Sequence, residues 1–233
     1  MAGISTYSRD TFLGWVAGAG TTGAPGSLHI SLNTQAGDGI TDGTERQNIT
    51  FTLDAANNRL DSNVEVLFNS WNGGTTSFDR FSVWDSGVPN SGNRIFFGNL
   101  SSVLTLNNGE RAKIAAGDCY LDEVSGTFSD TYIEYFLNWV NGIDLTGTVS
   151  LTTEIREGGG LVATQPMPAI VTNQILQNNA QVNWGVLSGS GVIDEVLIRD
   201  NSTQVVSTKS ESFAYSNNDE AVAGAGALQF TIL

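Results

Sequence analysis

Apolar residues recur along this chain with two different spacings. In residues 5–18 (STYSRDTFLGWVAG), Phe12, Trp15 and Val16 fall at i, i+3 and i+4, and in residues 129–142 (SDTYIEYFLNWVNG), Phe136, Trp139 and Val140 do the same. That spacing lines one face of a helix. Ser5 and Ser129 stand where N-caps would, and Gly18 and Gly142 suit the C-terminal caps. Each stripe is expected to pack its helix on its own domain. After each helix the period drops to two: Leu28, Ile30 and Leu32 alternate with His29 and Ser31, Ile49, Phe51 and Leu53 with Thr50 and Thr52, Val64, Val66 and Phe68 with Glu65 and Leu67, and Phe81 and Val83 with Ser82 and Trp84. Cys119 and Leu121 close this series, and residues 149–153, 170–174, 181–184, 195–199, 204–207 and 228–233 play similar parts later. Stretches such as NSWNGG and DSGVPNSGN between the runs are turn chemistry. The pattern predicts an all-β protein: two tandem, jelly-roll-like β-sandwich domains, each preceded by a short N-terminal helix.

The two helical segments also resemble one another, with 6 identities in 14 ungapped positions and both tryptophans aligned. Downstream, FDRFSVWD at residues 78–85 matches IDEVLIRD at 193–200, and Asn108, Ala112, Ala116 and Gly117 pair with Asn217, Ala221, Ala225 and Gly226. The offset falls from 124 through 115 to 109, so loops shorten in the second copy. This reads as a tandem duplication, with copy one at residues 1–126 and copy two at 127–233. No Pro-rich or charged linker separates them.

Composition supports the β reading and narrows the chemistry. Ser, Thr, Asn and Gly abound while Lys and Glu, which normally fill exposed helix positions, are scarce. Ten Lys and Arg against 24 Asp and Glu leave a formal charge of -14, the wrong sign for nucleic acid or an anionic membrane. The longest apolar runs fall far short of the roughly 20 residues that span a bilayer, and no secretory signal is expected. One cysteine, Cys119, excludes an internal disulfide and reads as a buried small hydrophobe. One histidine, His29, leaves little for nucleophilic catalysis. Asp79 and Asp85 are the best placed paired carboxylates, but both recur as Asp194 and Asp200, which points to turn hydrogen bonding and not to glycoside chemistry. No catalytic residue and no cofactor are assigned, and the protein is not expected to be an enzyme. Asp38, Asp42 and Glu45 in GDGITDGTE are candidate oxygen ligands for Ca²⁺. Trp71 and Trp184, each before a matched Gly-rich loop, and Trp84, which alternates away from Phe81 and Val83, are candidate exposed interaction residues able to stack on sugars or on another subunit.

FLxWVxG, SLHISLNT, GTERQNITF, FNSWNGGTTSFDRFSVWD at residues 68–85 and AAGD at 115–118 resemble a family of small virion proteins of tailed bacteriophages, of tail-fibre-like or minor structural type. The resemblance covers nearly all of copy one and, more weakly, copy two, which lacks the GTE-R-Q segment. It implies a non-enzymatic structural component on the particle exterior, either capsid decoration or cement, or neck or tail-fibre attachment. The implied partners are other virion proteins of capsid, portal, neck or tail, with homo-oligomerisation in the particle and assembly in the bacterial host cytoplasm. The alternative from another class is a carbohydrate-binding or host-adhesion module that takes a host glycan.

Overall fold

The structure, a computed structural model, describes residues 3–34, 45–121, 128–201 and 203–231. In order come β1 (Gly3–Ile4), α1 (Thr6–Val16), β2 (Leu28–Asn33), β3 (Gln47–Ile49), β4 (Phe51–Asp54), β5 (Arg59–Ser62), β6 (Val66–Leu67), β7 (Thr76–Trp84), β8 (Arg94–Leu106), β9 (Lys113–Ile114) and β10 (Tyr120–Leu121). Then follow α2 (Asp130–Val140), β11 (Thr152–Glu157), β12 (Gly160–Pro166), β13 (Ala169–Thr172), β14 (Ile175–Asn178), β15 (Val182–Val186), β16 (Gly191–Arg199), β17 (Val205–Tyr215), β18 (Glu220–Ala223) and β19 (Gln229–Phe230). Every strand pair is antiparallel, so the all-β, sandwich-like expectation with two short helices holds.

The chain forms two compact units: Met1–Ser8, Gly23–Val124 and Phe136–Asp144 make the first, and Arg9–Thr22, Ser125–Tyr135 and Leu145–Leu233 make the second. The expected boundary at 126/127 lies outside the described residues. In the first unit a sheet ordered β1-β8-β7-β2-β3 is joined by β10-β5-β4 and the pair β6-β9. Phe96 on β8 meets Phe51 on β4 edge to face at 5.4 Å, which packs one sheet on the other. Phe136, Leu137, Trp139 and Val140 from the end of α2 are fully buried in this unit, and the Trp139 indole N–H donates to the Gly23 carbonyl at 2.9 Å.

The second unit holds β12-β11-β16-β17, β13-β14-β19 and β15-β18. Its aromatic core includes Phe12 and Trp15 of α1: Phe12 lies 5.9 Å from Phe128, and Trp15 lies 5.9 Å from both Tyr132 and Tyr135. Here the expectation that each helix packs on its own domain is corrected. The stripe of α1 serves the second unit and the stripe of α2 the first. An i, i+3, i+4 pattern fixes which face of a helix is apolar, and carries no information about which core receives it.

The two units repeat one another in detail. The order β8-β7-β2-β3 recurs as β17-β16-β11-β12. The β7/β8 ladder shifts register between Phe78 and Arg80 and again between Val83 and Trp84, and β16/β17 shifts at the matching Ile193/Glu195 and Ile198/Arg199. Both helices end alike: Gly18 N–H bonds the Trp15 carbonyl and Ala19 N–H that of Gly14, while Gly142 and Ile143 bond Trp139 and Asn138. Gly18 and Gly142 have φ of 94° and 95°, the left-handed conformation such a cap needs. The N-termini differ. Ser5 Oγ accepts the Ser8 N–H at 3.1 Å as a cap should, whereas the Ser129 hydroxyl donates to the Val205 carbonyl. Ser62 and Asn178, both buried, brace the last turn of their units, accepting N–H groups from Gly117 and Gly226 on their carbonyls and from Cys119 and Leu228 on their side chains.

Trp139→Ala is therefore expected to cost about 3–5 kcal/mol and to act on the first unit. Hydrogen exchange should rise in β2, β7 and β8 and stay unchanged in β11 and β16; the opposite distribution would contradict this assignment of the helices.

Candidate functional site

The first unit carries a buried polar cluster beneath the β7–β8 loop. Trp84, expected at the surface, is only 4% exposed. Simple alternation fails because the ladder shifts register at this residue and both faces of the end of β7 are covered. The Trp84 indole N–H donates to Ser31 Oγ at 3.0 Å, Ser31 Oγ–H to Asn33 Oδ1 at 3.4 Å, and Asn33 Nδ2 to Ser82 Oγ at 2.7 Å. Over the indole, 3.9 Å from its centroid, lies the guanidinium of Arg46, itself buried. Arg46 donates to the Ser86 and Ser91 carbonyls at 2.7 Å each, clamping the loop from inside. Asp85 closes the loop's base by accepting the Asn93 N–H at 2.6 Å and its side-chain amide at 2.9 Å. Gly87 lies on the His29 imidazole, where a Cβ would stand 2.8 Å from the ring and would push the imidazole aside. Desolvation, helped by the Arg46 charge and opposed by Asp85, holds the His29 pKa below its usual 6.5.

Sequence reading missed Arg46 as an anchor. Its one signal was a lone cation inside the GTERQ segment, and the register that sets it over Trp84 is not visible in the sequence. The second unit answers with different chemistry on the same positions. Strand register aligns Ser31 with Glu154, Asn33 with Arg156 and Trp84 with Arg199. Arg199 Nε bonds Glu154 at 2.9 Å and Arg156 bonds it at 2.7 Å. Burial alone would raise the Glu154 pKa, but these two guanidinium groups outweigh it and hold the carboxyl below its ordinary value. By the same register His29 aligns with Thr152.

Trp71 and Trp184 differ in setting. Trp71 N–H donates to the Glu110 carbonyl and Gly109 N–H to the Trp71 carbonyl, both at 2.7 Å; Leu187 makes the matching bonds with Asp219 and Asn218 at 2.8 and 2.9 Å. Leu187, and not Trp184, is thus the counterpart of Trp71. Trp184 stands three residues earlier, as buried Phe68 does before Trp71, and is 7% exposed: it is a core residue, which corrects its expected exposure. Trp71 is half-buried. Its indole N–H donates to the Gly74 carbonyl at 2.5 Å, and its ring stands edge to face with Phe78 at 5.2 Å. Glu45, Asn69, Ser70, Trp71, Asn72 and Gly73 line a cleft of about 400 Å³. Asn69 Nδ2 donates to the Glu45 carboxylate, and a Cβ on Gly73 would collide with the indole.

Three of the four paired aspartates, Asp85, Asp194 and Asp200, accept backbone N–H groups. Asp79 and Asp194 occupy the two matching register shifts, where Asp194 accepts the Gly158 N–H at 2.8 Å and Asp79 lies 4.0 Å from Arg80. Asp200 accepts the Gln204 N–H and the Tyr132 hydroxyl, each at 2.9 Å, as Asp85 holds Asn93. Burial, reinforced by Asp118, pushes the Cys119 thiol far above its ordinary range. Of the candidate Ca²⁺ ligands, Glu45 is exposed, and Asp38 and Asp42 lie outside the described residues. Among the described residues no group of three or more His, Cys, Asp or Glu could hold a metal ion, and no helix is long and apolar enough to cross a membrane.

Comparison with protein families matches residues 3–122, just over half of the chain, to the family described as Podophage GP4 fiber I protein gp80. The matched stretch contains the Arg46–Trp84 cluster, the clamped loop and the Trp71 cleft. No curated protein matches the chain.

Two outcomes follow from this geometry. Arg46→Met leaves the Ser86 and Ser91 carbonyls without their donor and removes the cation from the indole, so a loss of about 2–4 kcal/mol in urea unfolding is expected, with amide protection falling first in residues 86–93. Because His29 has its pKa depressed on folding, its contribution is fully present above the unfolded value of 6.5 and is lost as pH falls through the folded value. His29→Gln should flatten that acid-side slope, and an unchanged slope would show that another group sets it.

Proposed function

The chain belongs to this podophage fiber I protein family, and from that premise we propose that it is a structural component of a short-tailed phage's tail fibre, carried on the particle exterior and joined to other virion proteins. The observation that carries the reading is a family match running through almost the whole β framework of the first unit. Its role is structural and not enzymatic: Asp85, Asp194 and Asp200 are engaged in bulge and hairpin hydrogen bonds, and Cys119 is sealed in the core with a thiol that stays protonated. We read the chain as a tandem duplication of residues 1–126 and 127–233. The repeated strand order, paired register shifts and twin helix caps support that origin.

Attachment and self-association in the particle use surfaces that sandwich folds leave open. Among the described residues, the outer edges of the long strands β8 and β17 are paired over short stretches, by β1 at Phe96 and Phe97 and by Phe128 at Ser207. Assembly takes place in the host cytoplasm. Contact with a host glycan is compatible with this role, and the cleft beside Trp71 favours it.

Gradient-purified particles, analysed by mass spectrometry and labelled with gold-conjugated antibody, test the reading. Label at the tail is expected. Label spread over the head would replace the fibre reading by capsid decoration, and absence of the chain from particles would sink it.

A further inference from the structure

We infer that the cleft at Trp71 binds a neutral saccharide. This deepens the glycan-contact reading and rests on it. Among the described residues the lining joins an indole to two side-chain amides, a hydroxyl and a carboxylate, from Trp71, Asn69, Asn72, Ser70 and Glu45. An aromatic ring takes the apolar C–H face of a sugar, while amides and hydroxyls exchange hydrogen bonds with its alcohols. Among the described residues no Lys or Arg lines the cleft, and Glu45 gives it negative charge, which selects against phosphate and against uronic or sialic acids. The volume of about 400 Å³ suits one or two sugar rings.

The indole is fixed before any ligand arrives. Its N–H is held by the Gly74 carbonyl, its ring by a perpendicular contact with Phe78, and its backbone N–H and carbonyl by Glu110 and Gly109. A fixed ring loses little further freedom on binding. The second unit supplies an internal control, for Leu187 holds the same backbone bonds and is buried at 5% exposure. The scaffold closes this turn with an aliphatic side chain, so folding does not demand the half-exposed indole in the first unit.

The test is titration of the full chain with glucose, galactose, mannose, rhamnose, N-acetylglucosamine and their disaccharides to tens of millimolar, followed by tryptophan fluorescence and amide NMR. Saturable shifts confined to residues 69–74 are expected with at least one of these sugars, and none with glucuronic acid or inorganic phosphate. Trp71→Leu, which copies the counterpart residue, should weaken binding at least about tenfold with Tm unchanged. Should that variant unfold, Asn72→Ala on the exposed loop decides, with a loss of several-fold expected. Failure of every neutral sugar to bind, binding of the anionic probes alone, or full affinity in Asn72→Ala or a folded Trp71→Leu would each overturn the site. None of those results bears on whether the protein is in the particle, and absence from particles would leave the titration intact.

Discussion

Each unit completes its hydrophobic core with helical residues drawn from the other half of the chain, and the rest of the structure depends on that exchange. The first unit buries Phe136, Leu137, Trp139 and Val140; the second buries Phe12, Leu13, Trp15 and Val16. Trp139, Phe12, Phe136 and Leu13 are among the largest fully buried side chains, and at roughly 1.5–3 kcal/mol for each fully buried aliphatic or Phe side chain the burial of either set is comparable to the whole margin by which a domain is stable. Neither half of the sequence therefore contains the complete core of either unit. With no internal disulfide possible around a single cysteine, this burial and the ladders hold the fold.

On that common framework the two units have taken different chemistry at equivalent positions. Where the first stacks Arg46 on Trp84 and runs a chain of hydroxyls and amides beneath, the second places Glu154 between Arg156 and Arg199. Both solutions satisfy polar groups inside a sheet, as burial requires. They differ in what they hold: the guanidinium of Arg46 clamps the residues 85–93 loop, for which the second unit has the shorter turn from Asp200 to Gln204. The elaborated loop and the Trp71 cleft both lie in the stretch that carries the family match.

Much of this was legible in the sequence wherever the physics is local. The helices end at Gly18 and Gly142 because only a left-handed residue closes such a cap, and Leu28, Ile30 and Leu32 line the core as their spacing predicts, although the polar Ser31 and Ser82 between the apolar positions of β2 and β7 are buried too. Asp85 and Asp200 betrayed a turn role by recurring. Non-local facts were not legible. The partner of a helical stripe is a tertiary choice, and Trp84 and Trp184 could not be known as buried, since a register shift breaks the alternation at Trp84 and a bulge at Asn183/Gly185 flanks Trp184. The pairing of Trp71 with Leu187 emerges only from shared backbone bonds.

As a component of a podophage tail fibre, this chain must contribute mass to the tail of the particle. Electron cryomicroscopy of wild-type particles beside particles carrying an amber codon in this gene tests it most directly. Density at the tail, fitted by two like β-sandwich units, is expected in the wild type and is expected to be missing from the amber particles. Identical tails in the two maps would contradict it.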